Sequence, residues 1–178
     1  VVVLAREIVL RVKDLPVRVG RLGLVASLLV ALAAGCAEPP GPSPEQQAIF
    51  AQEVDQELVV PAVKNAMSFA VGEIVAPAGA TVRLVIDNTE TTSPAMVHNV
   101  VVVETERAIE RVGQAAATAP DNIPDDDAIL AYTPLARPGQ RTAVVFTMPP
   151  PGRYPFICTY PGHFRFMQGT LVSTIPDV

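Results

Sequence analysis

Four side chains in this 178-residue chain could together bind a soft or borderline metal, and the histidines and cysteines are scarce enough to be informative. The sequence holds only two histidines, His98 and His163, and two cysteines, Cys36 and Cys158. Cys158, His163 and Met167 fall within ten residues of one another near the C-terminus, and His98 lies 60 positions before Cys158. Two imidazoles, a thiolate and a thioether form a mixed donor set. Thiolate and thioether suit Cu(I), and imidazole suits Cu(II). A trigonal plane of His98, Cys158 and His163 with a long, weak bond to Met167 serves both oxidation states with little rearrangement, so one copper ion and one-electron chemistry are expected. Structural zinc takes thiolates and imidazoles without methionine, and catalytic zinc keeps an open position.

The ligands need elements that bring them together. Arg153–Ile157 reads as a strand entering the Cys158–Met167 loop, and 169–172 as the strand leaving it, so three ligands converge at the end of two neighbouring strands. His98 opens another strand, Val100–Val103. Further extended stretches are expected at 66–71, 73–75, 81–86 and 142–147, with turns at Pro77-Ala78-Gly79, Pro138-Gly139 and 149–152. Residues 107–117 read as the one good helix, followed by an irregular acidic loop at 121–127. Seven or so short strands with one helical insertion predict an all-β, Greek-key sandwich.

Ahead of this domain the chain has another character. Residues 1–36 read as a signal peptide. Arg18 and Arg21 precede an apolar run of 13 residues, Leu22–Ala34, too short for a comfortable permanent span. The run ends in Leu32-Ala33-Ala34-Gly35-Cys36, similar to a bacterial lipobox except that leucine stands four residues before the cysteine. Cys36 is the expected lipidation site, leaving Cys158 without a disulfide partner. Residues 37–57 are expected to be a Pro-rich or flexible linker, stiff and extended through Pro44 and either helical or disordered over 45–56. The sandwich domain is expected over 58–178.

Charge narrows the partners. The whole chain carries −5. The first 36 residues hold five basic and two acidic groups, leaving eight basic and sixteen acidic in the rest, a net of −8. An acidic domain without clustered Lys and Arg excludes nucleic-acid binding. A multicopper oxidase or copper nitrite reductase needs further histidines for a second copper centre, and none remain, so the chain is not expected to be an enzyme. A copper chaperone or buffer favours exposed Met- and His-rich sites that release metal, and is the alternative to an electron carrier.

Residues Cys158-Thr159-Tyr160-Pro161-Gly162-His163 and Met167-Gln168-Gly169-Thr170-Leu171 resemble the ligand loop of the azurin and auracyanin branch of the cupredoxins. Met96-Val97-His98-Asn99 resembles that family's first-ligand motif, and Pro124-Asp125-Asp126 with Ala128–Leu135 the stretch after its helical flap. The resemblance covers roughly residues 66–173. It implies an eight-stranded cupredoxin sandwich with one type 1 blue copper at one end and the Cys158 sulfur as the dominant ligand. By the same resemblance the Asn99 side chain pins the loop, and the backbone N–H groups of Asn99 and Tyr160 point at the sulfur. Val97 replaces a glycine whose carbonyl lies near copper, and is the position for a weak axial carbonyl. No cysteine pair matches the azurin disulfide. Electrons are expected to leave through His163, across an apolar docking patch of Met96, Pro161, Gly162 and Phe166 with Arg165 at its rim, and Phe164 is expected to face inward. Expected partners are redox proteins: a quinol-oxidising complex, a cytochrome c, a terminal oxidase or a reaction centre. The expected place is the outer face of the cytoplasmic membrane or the periplasm, reached by export and held by the lipid anchor.

Overall fold

A computed structural model describes residues 41–176, so Cys36 and the expected signal segment lie outside the described residues. Eight strands form two sheets. The three-stranded sheet has the order β1 (Gln56–Pro61), β3 (Thr81–Asp87), β6 (Arg141–Thr147). The five-stranded sheet has the order β2 (Glu73–Pro77), β8 (Gln168–Thr174), β7 (Gly152–Ile157), β4 (Val101–Val103), β5 (Ile129–Tyr132). β1 runs parallel to β3 and β2 parallel to β8, while the remaining pairs are antiparallel.

Period-2 alternation decides which side chains enter the core. In β2, Ile74 and Ala76 are buried while Glu73, Val75 and Pro77 face out. Leu58, Val60, Leu84, Ile86, Phe156 and Leu171 meet between the sheets. β4 departs from alternation because both its faces are covered. Val102 joins the main core, whereas Val101 and Val103 pack outward under helix α2 (Glu106–Ala115).

The extended stretch expected at 66–71 is a reversal instead. Asn65 takes a positive φ of 55°, and Val63 N–H to Ser68 C=O (2.9 Å) and Ala70 N–H to Pro61 C=O (2.8 Å) close the return of the chain after β1. The alternation there reflects one anchor, Phe69, whose ring lies 5.3 Å from that of Phe156. Strand β1 starts at Gln56, inside the stretch expected as linker, and the helix expected at 107–117 spans Glu106–Ala115.

Residues 44–51, also expected within the linker, form helix α1 (Pro44–Ala51). Ser43 caps it by accepting from Gln46 N–H at 3.2 Å, and Pro44 occupies the first turn, where no N–H is needed. The helix is docked by polar side chains. Ala143 N–H donates to Gln46 Oε1 (2.7 Å) and Gln46 Nε2 donates to Ala143 C=O (3.1 Å). The amide thereby pairs with the free edge of β6 as a neighbouring strand would. Arg83, beneath α1, donates to the carbonyls of Ile49 (3.1 Å) and Gln52.

Candidate metal centre

The C-terminal end of β7 delivers Cys158, and ten residues later the chain returns as β8. The turn is made by Gly162, whose φ of 83° is costly for any residue with a Cβ. A single 3-10 turn, His163–Arg165, follows. Within the loop His163 N–H donates to Tyr160 C=O, both Phe166 and Met167 N–H donate to His163 C=O (2.9 Å each), and Cys158 N–H donates to Met167 C=O (3.1 Å). The loop is closed on itself at both ends.

His98 arrives from the neighbouring strand. β4 pairs with β7, with Val101 opposite Ile157, so the residues just before β4 lie beside those just after β7. The His98 backbone makes a two-bond bridge with Ala136 (3.1 and 2.7 Å). Asn88 Nδ2 donates to the carbonyls of Met96 (2.9 Å) and Ala136 (3.0 Å), tying both strands of that bridge together. Asn99 locks the two halves of the site: Thr159 N–H donates to its Oδ1 and its Nδ2 donates to Thr159 Oγ1, both at 2.8 Å. The positions of Asn88, Ala136 and Thr133, which accepts from Val100 N–H at 3.0 Å, had no distinguishing signal in the sequence. The sole cue at Asn88 is that an asparagine ends a strand, as many do.

Three donor atoms face one another. His98 Nδ1 lies 3.2 Å from His163 Nδ1, and Cys158 Sγ lies 3.9 Å from the first and 3.7 Å from the second. An ion bonded at roughly 2.0–2.3 Å to two imidazoles and a thiolate in a trigonal plane would hold its nitrogens about 3.5 Å apart and each nitrogen about 3.8 Å from sulfur. The triangle therefore fits a single first-row metal ion. Met167 is fully buried in the same apolar cluster as Cys158, and a soft thioether beside His₂Cys selects copper.

Electrostatics suit metal uptake. Burial pushes the Cys158 thiol up to about 11, and the backbone N–H groups of Asn99 and Tyr160, hydrogen-bonded to the sulfur, act in the opposite sense. Burial, with the neighbouring His163 adding to it, lowers His98 to about 4, and burial lowers His163 as well. Both imidazoles are thus neutral at pH 7, with lone pairs free for a metal. His98 Nε2 is buried without a protein hydrogen-bond partner among the described residues, so the Ala136 bridge and packing orient this ring.

Around the site, Val97 is buried, Met96 and Tyr160 are half-buried, and Pro161 and Gly162 are exposed. The Tyr160 ring meets His163 edge-on at 5.0 Å. Phe164 is 4% exposed and Phe166 67%, so the first faces inward and the second outward. Arg165 pairs with Glu110 at 3.0 Å. Met67, absent from the expected patch, is also exposed. Its loop is tied to the one before His98, because Thr92 and Ser93 N–H both donate to Asn65 Oδ1 at 2.9 Å.

A family model described as copper binding proteins, plastocyanin/azurin family, matches residues 56–174. Auracyanin-A of Chloroflexus aurantiacus is 38% identical over 111 residues, which is 60% of this chain and 67% of that protein. Auracyanin-B of the same organism is 34% identical over 150 residues, or 81% of this chain and 61% of that one. The chain thus spans about two thirds of the length of these curated relatives. The solved structure of auracyanin A, described as a "blue" copper protein, superposes with a TM-score of 0.61 at 30% identity, covering 66% of this chain and 97% of that one. Auracyanin B superposes with a TM-score of 0.63 at 33% identity, covering 69% and 91%. With His98, Cys158, His163 and Met167 clustered as a type 1 copper site inside the matched span, the chain belongs to the plastocyanin/azurin family of copper-binding proteins.

Proposed function

We propose that this protein carries single electrons between redox proteins at the outer face of the cytoplasmic membrane. The observation that supports the reading best is the converged, buried donor set: His98, Cys158 and Met167 have no exposed surface and His163 is 5% exposed. A metal held there exchanges electrons, not ligands or substrate. An exposed, releasing site of the kind a copper chaperone or buffer uses would look different. The copper, when bound, supplies the Cu(I)/Cu(II) couple; the protein supplies neutral imidazoles, hydrogen bonds to the thiolate and a loop closed on itself, so that neither state demands rebuilding. The Val97 carbonyl, one residue before His98, is our candidate for a weak further contact.

Electrons leave through His163, the ligand in the loop that carries the exposed Pro161, Gly162 and Phe166. These three with Met96, and with Met67 added, form the docking patch, apolar enough for short-lived encounters that bury little area. Lipidation at Cys36 would hold the domain at the membrane surface, the sequence from Ala37 to Ser43 acting as spacer. Its partners would be the quinol-oxidising, cytochrome, oxidase or reaction-centre proteins of that surface.

The test is direct. Purified protein given Cu(II) turns intensely blue, bleaches with a mild reductant and recovers on reoxidation, while Cys158→Ser gives no blue species. A colourless complex, or one whose metal is stripped by dilute chelator within the mixing time, sinks the carrier reading.

A further inference from the structure

The ligand loop belongs to two cores at once. Cys158 and Met167 lie between the sheets with Leu84 and Phe156. Phe164 lies on the other side of the five-stranded sheet, in the cluster that Ala108 and Val112 of α2 form with Val101 and Ile157. His163 is next to Phe164 in the chain, at the start of the stretch that crosses from one core to the other.

The seat for Phe164 is made by an absence of side chain. A Cβ on Gly113, in the last turn of α2, would stand 2.2 Å from Phe164 Cγ and 2.5 Å from Cδ1 and Cδ2. Phe164 can therefore occupy this position only over a glycine. The next residue is committed to the same helix: Arg165 Nη2 lies 3.0 Å from Glu110 Oε1, and its guanidinium carbon 5.4 Å from the Phe164 ring centroid. Gln168 Nε2 holds the Phe164 carbonyl at 2.7 Å. Because Phe166 and Met167 N–H both bond His163 C=O, the turn moves as a unit, and displacing Phe164 displaces His163.

We propose that α2, through the Gly113 seat, is the positioning element for the copper ligand His163 and so sets the reduction potential of the site. The proposal rests on the redox reading of the copper centre. Imidazole favours Cu(II), so a His163 drawn away from its seat weakens that preference and raises the potential. Gly113 and Phe164 touch no metal; they act through His163.

The experiment uses full-length protein carrying Gly113→Ala, Phe164→Ala or both, with Val144→Ala on the other sheet as a control for lost packing. Three quantities are read: the reduced-to-oxidised ratio at one ambient potential, the visible absorption band, and the His163 ring resonances of the metal-free protein. Gly113→Ala is expected to raise the reduced-to-oxidised ratio at least threefold, about 28 mV at 59 mV per decade for one electron. It is also expected to shift the band and the His163 resonances, whereas Val144→Ala changes only stability. In the Phe164→Ala background the Gly113→Ala effect should fall below half. The proposal is overturned if Gly113→Ala costs stability yet leaves ratio, band and resonances in place, or if its effect is undiminished without Phe164. Should Gly113→Ala not fold, Phe164→Ala alone must move the ratio and the resonances, and their constancy overturns the proposal. If the wild-type protein forms no blue copper complex, the redox reading fails instead, and the metal-free resonances still decide whether α2 positions His163.

Discussion

At the residue scale the site depends on keeping a thiol and two imidazoles buried in one small volume. With the thiol raised to about 11 and both imidazoles lowered, the metal-free site is uncharged at pH 7. Copper uptake should then release about one proton per ion, from Cys158. Calorimetry in buffers of differing ionisation enthalpy checks this, and Cys158→Ser should release none. The His98 shift also bears on stability. Its folded pKa of about 4 lies below the ordinary imidazole value of 6.5, so between these values the unfolded chain binds more protons and acidification favours unfolding. Metal-free protein should be fully stabilised in this respect above pH 6.5 and lose roughly 3 kcal/mol as the pH falls through 4. Denaturant midpoints measured at both ends of that window test the sign. His163→Gly should leave a copper site that added imidazole restores, seen as return of the blue band.

At the scale of elements, α1 and α2 each protect something a bare sandwich would leave open. α1 covers the edge of β6 with the two Gln46 hydrogen bonds. Gln46→Ala would leave the Ala143 N–H and C=O under a helix without partners, at a cost of about 1–3 kcal/mol, read as a lower denaturation midpoint with an unchanged copper spectrum. The sequence made β3, β6, β7 and β8 visible through their β-branched, apolar runs between turn residues, and α2 through its alanine-rich stretch. The ligands were visible for a different reason: few residue types bind copper, and this chain has hardly any to spare. Phe164 and Phe166 were separable too, one inward and one outward. The reversal at 62–70 was not visible, since its single inward ring mimics alternation. For α1 the choice between helix and disorder stayed open, because its docking comes from the Gln46 amide, reaching a residue 97 positions away, and from Arg83. Asn88 and Gly113 were hidden for the same reason, because their roles exist only once distant segments meet.

At the scale of the whole described molecule, the copper end combines an apolar, exposed surface with a domain of net negative charge. Phe166→Asp should leave the blue band unmoved and slow electron exchange with a redox partner by about tenfold or more, measured by stopped flow, since one apolar anchor lost from a small interface is worth on the order of 1–3 kcal/mol. If exchange is unaffected, the patch lies elsewhere. Salt should act weakly on that rate, because the proposed patch is uncharged apart from Arg165, already paired with Glu110. A last consequence follows from where α1 sits. The described chain enters at residue 41 and is pinned almost at once, through Gln46 and Arg83, to the three-stranded sheet, whereas Cys158, His163 and Met167 hang from strands of the other. A tug arriving from upstream is therefore spent on the sheet that holds no ligand, as strain relief on a cable spares the solder joint. The electronic properties of the metal should be the same in a protein held taut on a surface as in one drifting free.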